Sequence, residues 1–270
     1  MDIETEFLQV DGGRIGYEVA GPADGPLVVC APAMGDIRQE YRLLAPLLVA
    51  AGYRVATMDI RGHGETSTGW DSYTHERVGA DYLALVDHLG GPAVLIGTSY
   101  TPTSAGWAAA EAPGTIVGVV LISTWSTPQR PNAVMRLLSD LVTRRAGLWL
   151  MFYRTLYADR PADFAEYCAR LKRNLAEPGR MAAVNAMGHC DNQPALRRFA
   201  DVRCPALVVY GSKDPDFADP AAEARETMRL LSGTTPTLLM VEGAKHHPHV
   251  EQPDLVAAAV LPLLAEAFGA

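Results

Sequence analysis

The sequence predicts an α/β fold built on a mostly parallel sheet with helices on both faces. Three observations point there. Short apolar runs alternate with helix-period segments along most of the 270 residues. The runs are apolar at consecutive positions, as strands covered on both faces require. One long segment, 126–198, interrupts the alternation with helical pattern only, and both its ends return to the same sheet.

Taken in order, Glu6–Val10 and Arg14–Val19 turn around Gly12-Gly13 and read as an antiparallel edge hairpin. Leu27–Cys30 is a buried strand between Pro26 and Pro32. An amphipathic helix from Tyr41 to Ala51 is closed by Gly52. Tyr53–Met58 is a strand, followed by a glycine-rich turn and a helix over Glu76–Leu89. Pro92 opens a strand through Ala93–Gly97, and Ser104–Ala112 is the next helix. Ile116–Ile122, Ala206–Tyr210 and Thr237–Val241 are further strands, with helices over Pro220–Leu231 and Pro253–Phe268. Residues 1–125 and 199–270 therefore make the core. Residues 126–198 make a helical cap, punctuated by Pro128, Pro131, Pro161, Pro178 and Pro194.

Composition narrows the function. The net charge is −8 and pI is near 5.4, which argues against nucleic-acid binding. The charge is uneven, since the cap holds 12 Lys/Arg against 6 Asp/Glu and the rest holds 11 against 25. No apolar stretch reaches the roughly 20 residues of a membrane span. The acidic start MDIETEFLQV lacks the pattern of a secretory signal. Cys30, Cys168, Cys190 and Cys204 have no CxxC spacing and suit reduced thiols, so a cytoplasmic location is expected.

In a parallel sheet, functional groups gather where strands end at their carboxyl side. Three such ends carry chemistry. Ser99 follows Ala93–Gly97 in "GTSYTPTSA", Asp214 follows Ala206–Tyr210 in "YGSKDPDF", and His246 follows Thr237–Val241 in "VEGAKHHPH". Acyl transfer needs a nucleophile, a base to take its proton, and a carboxylate to orient the base. All three occur in the order Ser, Asp, His, which suits a nucleophile elbow on a βαβ framework. Asp216 is the rival acid, and the Gly-x-x-Asp spacing favours Asp214. His247 and His249 compete with His246. The histidine cluster shows no HExxH spacing and no carboxylate partner, so no metal is expected. "GHGETS" lacks the third glycine of a dinucleotide fingerprint, so no cofactor is expected, and His63 within it reads as structural.

With these motifs the chain resembles the α/β-hydrolase superfamily over nearly its whole length. "MDIRGHGETS" is similar to that family's Asp-x-Arg-Gly-x-Gly turn, and "GAKHHPHVEQP" to its Gly-x-x-His…Glu-x-Pro ending. "PAMGDIRQEYRLLAP" occupies the place of the oxyanion loop, with Pro32-Ala33 where the family has His-Gly. Aligning Tyr41 with the family pattern implies that the Met34 N–H faces the oxyanion, with the Tyr100 N–H as second donor. The sequence departs from the family at Thr101, which stands where the elbow has glycine. Pro102 also disfavours helical backbone at Thr101, although proline is tolerated in a helix's first turn.

The implied activity is that of a cap-bearing serine hydrolase cleaving an ester, lactone or thioester. Acyl transfer or cyclisation, C–C bond hydrolysis, and a ligand sensor reusing the pocket are the alternatives, because fold alone permits all of them. The expected partner is a small molecule with a hydrophobic acyl group. Trp125, Trp149, Phe152 and Tyr153 are candidate pocket residues, and the apolar face of "LWLMFYRTLY" either packs on the core or lines the cleft. The basic pairs of the cap are either solvated outer faces or attract anionic substrates.

Overall fold

The computed structural model describes residues 4–128 and 132–269; Met1, Pro131 and Ala270, which figure in the segment boundaries above, lie outside them. Among the described residues, eight strands, numbered along the chain, form one sheet in the order β1-β2-β4-β3-β5-β6-β7-β8. β1 (Glu6–Val10) and β2 (Gly13–Ala20) are the antiparallel edge hairpin, and β2 also pairs antiparallel with β4 (Arg54–Met58). From β4 onward, β3 (Leu27–Ala31), β5 (Ala93–Thr98), β6 (Ile116–Ile122), β7 (Ala206–Gly211) and β8 (Thr237–Val241) run parallel.

Every residue of β3, β5 and β7 is buried, which is why these strands read as unbroken apolar runs. One face packs on α2 (His75–Leu89) and α3 (Thr101–Glu111), through Val78, Tyr82, Leu85, Ala105 and Ala108. The other packs on α1 (Ala45–Ala50) and α11 (Pro253–Phe268), through Leu48, Val256, Val260 and Leu264. The remaining core helices are α9 (Pro220–Leu230) and the short α10 (Pro248–Glu251).

Two helix starts differ from expectation by three residues or more, each at a proline. The segment expected to be one helix from Tyr41 is a 3₁₀ turn over Arg38–Arg42 followed by α1, because Pro46 has no N–H and belongs in a first turn. Conversely, α3 begins at Thr101 rather than Ser104, with Pro102 in its first turn.

Between β6 and β7 lie α4 (Ala133–Thr143), α5 (Ala146–Tyr153), α6 (Phe164–Leu175), α7 (Arg180–Gly188) and α8 (Gln193–Leu196). Trp149, Tyr153, Tyr157, Phe164, Tyr167 and Leu171 join these helices in one apolar cluster, which also takes in Ile37 and Val250 from outside the segment. The entry is pinned by buried Glu223, whose Oε1 accepts the N–H groups of Ser126 and Thr127 at 2.6 and 2.7 Å. At the exit, Phe199 packs so closely on Gly106 that a Cβ there would come within 2.3 Å of its ring.

Candidate active site

The sharp turn after β5 sets the site. Ser99 has φ = 61°, a left-handed conformation that non-glycine residues rarely hold. The turn brings α3 back against β5 so tightly that a Cβ on Gly97 would sit 2.7 Å from the Pro102 nitrogen. Thr101, the residue that departs from the elbow pattern, stabilises this turn. Its Oγ1 accepts the Thr98 N–H at 2.8 Å and lies 2.9 Å from the Ala31 carbonyl, tying the turn to the end of β3.

Asp214 and His246 meet at the ends of β7 and β8. His246 Nδ1 lies 2.7 Å from Asp214 Oδ2, and both side chains are buried. The other Asp214 oxygen accepts the Asp216 N–H at 3.0 Å, so the carboxylate is held on both sides. Asp216 stands further off, with 3.7 Å between its Oδ2 and His246 Nδ1. Gly211 makes the approach possible, since a Cβ there would lie 2.0 Å from the Lys245 carbonyl. Burial alone would lower the His246 pKa, but the charges of Asp214 and Asp216 outweigh it and raise it to about 9. Burial likewise opposes ionisation of Asp214, and His246 overcomes it to hold that carboxyl below its usual range.

Contacts through β6 draw the Ser99 turn and the His246 loop together. The Ser99 N–H donates to the Ile122 carbonyl at 2.8 Å. The next residue, Ser123, is also left-handed (φ = 52°) and donates its hydroxyl to the His246 carbonyl at 2.9 Å. From the inserted helices, the Leu156 carbonyl accepts the His246 N–H at 3.1 Å.

The turn after β3 is braced atom by atom. The Ala33 N–H donates to Glu40 Oε2 at 2.7 Å, the Gly35 N–H to His63 Nε2 at 2.8 Å, and the Asp36 N–H to the Ala33 carbonyl at 3.1 Å. Pro32 has no N–H. Among the described residues, the Met34 N–H donates to no protein group, and neither does the Tyr100 N–H at the start of α3. Each is therefore free for an external acceptor, and the Tyr100 N–H carries the positive end of a helix.

His63 and Glu40 are the residues sequence reasoning undervalued. Burial lowers the His63 pKa to about 4, which keeps it neutral, with Nδ1–H donating to the Arg61 carbonyl at 2.8 Å and Nε2 free to accept. Glu40 supplies the carboxylate that spacing alone did not reveal beside the rival histidines. Its Oε1 lies 2.9 Å from His249 Nε2 and 3.5 Å from His247 Nδ1, all buried. His247 and His249 thus face Glu40 rather than Asp214. Burial would raise the Glu40 pKa, but these histidines hold it ionised. Asp36 is pushed well above the usual carboxylate range by burial and by the Glu40 charge.

The four candidate pocket residues divide. Trp125 packs at a tilt against Phe217 with ring centres 5.1 Å apart, and the Phe217 ring centre lies 6.2 Å from that of His246. Trp149 donates Nε1–H to the Gly35 carbonyl at 2.9 Å, above the braced turn, with half-buried Phe152 at 5.6 Å. Tyr153 is fully buried and donates its hydroxyl to Asp36 at 2.7 Å.

A family model described as "Alpha/beta hydrolase family" matches residues 28–259. Among curated relatives, the chain is 26% identical to 3-oxoadipate enol-lactonase 2 of Acinetobacter baylyi over 94% of each chain. It is 24% identical to proline iminopeptidase PfmaB of Pestalotiopsis fici, covering 93% of this chain and 96% of that one. Among solved structures, a bromoperoxidase from Bacillus anthracis superposes with a TM-score of 0.82 at 19% identity, covering 97% of this chain and 99% of the other. Both the match along the chain and the topology of the sheet lead to one assignment: the chain belongs to the alpha/beta hydrolase family.

Proposed function

We propose that the protein is a serine hydrolase that cleaves an ester, lactone or thioester through an acyl-enzyme. The observation that carries this reading is the left-handed Ser99 at the strand-to-helix turn, tied through β6 to the His246–Asp214 pair. Ser99 Oγ attacks the carbonyl carbon while His246 Nε2 takes its proton. Asp214 holds Nδ1–H and so leaves Nε2 unprotonated and ready to accept. The tetrahedral oxyanion is received by the Met34 and Tyr100 N–H groups, and loss of one such donor costs about 2.7–4 kcal/mol. His246 then returns the proton to the leaving oxygen or sulfur. Water attacks the acyl-enzyme by the same route in reverse.

Segment 126–198 acts as a cap over this site, and the Trp125, Phe217, Trp149 and Phe152 rings favour a hydrophobic acyl group. The test is covalent labelling with a fluorophosphonate, followed by mapping of the adduct. A single adduct on the peptide carrying Ser99 is expected, whereas an adduct elsewhere, or none, overturns the assignment.

The raised His246 pKa adds a pH signature. The base works only when neutral, so kcat/KM for a neutral ester is expected to climb with pH, pass half its limit near 9 and level off above that. Stability runs the other way. The folded-state pKa lies above the unfolded value near 6.5, so the His246–Asp214 stabilisation is complete below 6.5 and lost as pH rises through about 9. The loss is on the order of 3 kcal/mol, from the 1.36 kcal/mol that one pKa unit represents. Denaturant melts of wild type and Asp214→Asn across pH 6–10 check this, with the variant expected to lose the alkaline decline.

A further inference from the structure

Helix α4 is amphipathic in the reverse sense to an ordinary surface helix. Its polar side docks on the protein. Asp140 pairs with His189 at 2.6 Å, and Thr143 Oγ1 accepts from Asn185 at 2.8 Å. Its apolar side faces out: Val134, Met135, Leu137, Leu138 and Leu141 are 41–70% exposed, and Met151 on the following helix is 66% exposed. Spacing i, i+3, i+4 and i+7 places Val134, Leu137, Leu138 and Leu141 on one stripe. Asn132 caps the helix by accepting the Met135 N–H at 2.9 Å, so the stripe is held in helical form. An outward stripe of this size marks an interaction surface.

Charge identifies what covers it. Arg144 and Arg145 are exposed just after α4, and the one acid of the helix, Asp140, is paired with His189. The whole inserted segment is basic while the rest of the chain is acidic. A symmetric pairing of two copies through α4 would set these arginines against each other, which is unfavourable. A surface of anionic lipid headgroups satisfies both features, taking the apolar stripe into its interface and the arginines at its phosphates.

We infer that α4 is an interfacial helix that seats the protein on an anionic lipid surface. The acidic core then faces away from that surface, so the charge asymmetry also orients the approach. The inference is independent of the reaction proposed above, because binding is read without turnover.

The test is co-sedimentation of the full chain with phosphatidylglycerol and with phosphatidylcholine vesicles at 0.1 M salt. Partition onto phosphatidylglycerol is expected to exceed partition onto phosphatidylcholine at least tenfold. The double variant Leu137→Asp/Leu138→Asp is expected to lower it at least tenfold with an unchanged melting curve. Should that variant fold poorly, Arg144→Glu/Arg145→Glu, exposed and outside α4, serves instead and removes the preference for phosphatidylglycerol. Absence of vesicle binding by the wild type, or binding that neither variant alters, overturns the inference. So does a wild-type dimer in sedimentation velocity that the α4 variant converts to monomer, which would assign the stripe to a second copy.

Discussion

Ser99→Ala is expected to lower kcat for ester turnover by about 10⁴- to 10⁶-fold, the range seen when a triad nucleophile is lost. His246→Ala should cost about as much, and the double variant little more, because nucleophile and base act as one unit. The structure separates this loss from damage to the fold. Ser99 is held at φ = 61°, where a side chain costs about 1–2 kcal/mol. Ser99→Gly removes both the nucleophile and that strain. It is therefore expected to be as inactive as Ser99→Ala yet to melt at a higher temperature. Turnover assays and thermal melts on both variants check the pair of effects. Retention of most activity by either variant would sink the proposed mechanism, and a lower melting temperature for Ser99→Gly would remove the strain argument.

Asp214→Asn is expected to lower kcat by about 10⁴-fold, as an amide does in place of a triad carboxylate, while Asp216→Asn loses less than tenfold. The local hydrogen bonds give the reason. One Asp214 oxygen must accept the Asp216 N–H, so an asparagine places its carbonyl there and its NH₂ towards His246. The ring nitrogen facing an NH₂ must accept, which moves the imidazole proton to Nε2 and blocks the base. Asp216, at 3.7 Å, adds charge without dictating the tautomer. Steady-state kinetics on both variants decide between them. A larger loss for Asp216→Asn would transfer the orienting role to that residue.

How much of this was legible in the sequence depends on the reach of each interaction. The buried strands were readable because a strand covered on both faces must be apolar at each position, as in Ala93–Thr98. Helix starts were less so. The helices holding Pro46 and Pro102 were expected from Tyr41 and Ser104, whereas each begins so that its proline falls in the first turn, where the missing N–H loses no bond. Thr101 shows the limit most clearly. In sequence it is a departure from the elbow, whereas in the fold its hydroxyl joins Thr98 to Ala31, which lies 70 residues before Thr101.

By itself, then, the sequence determined the α/β class, the order of the strands along the chain, the alpha/beta hydrolase resemblance, and the positions of Ser99, Asp214 and His246 at strand ends. These follow from local periodicity and from turns that need particular residues. Only the tertiary structure decided which groups meet. It set Asp214 against His246 at 2.7 Å with Asp216 further off, and turned His247 and His249 towards Glu40. It bonded the N–H groups on either side of Met34 while leaving that of Met34 itself free, and exposed the apolar stripe of α4 that periodicity alone would bury. The physical reason is common to all of these. Hydrogen bonds and ion pairs act over about 3 Å in space and are indifferent to separation along the chain, so their partners exist only once the sheet has brought distant strand ends together.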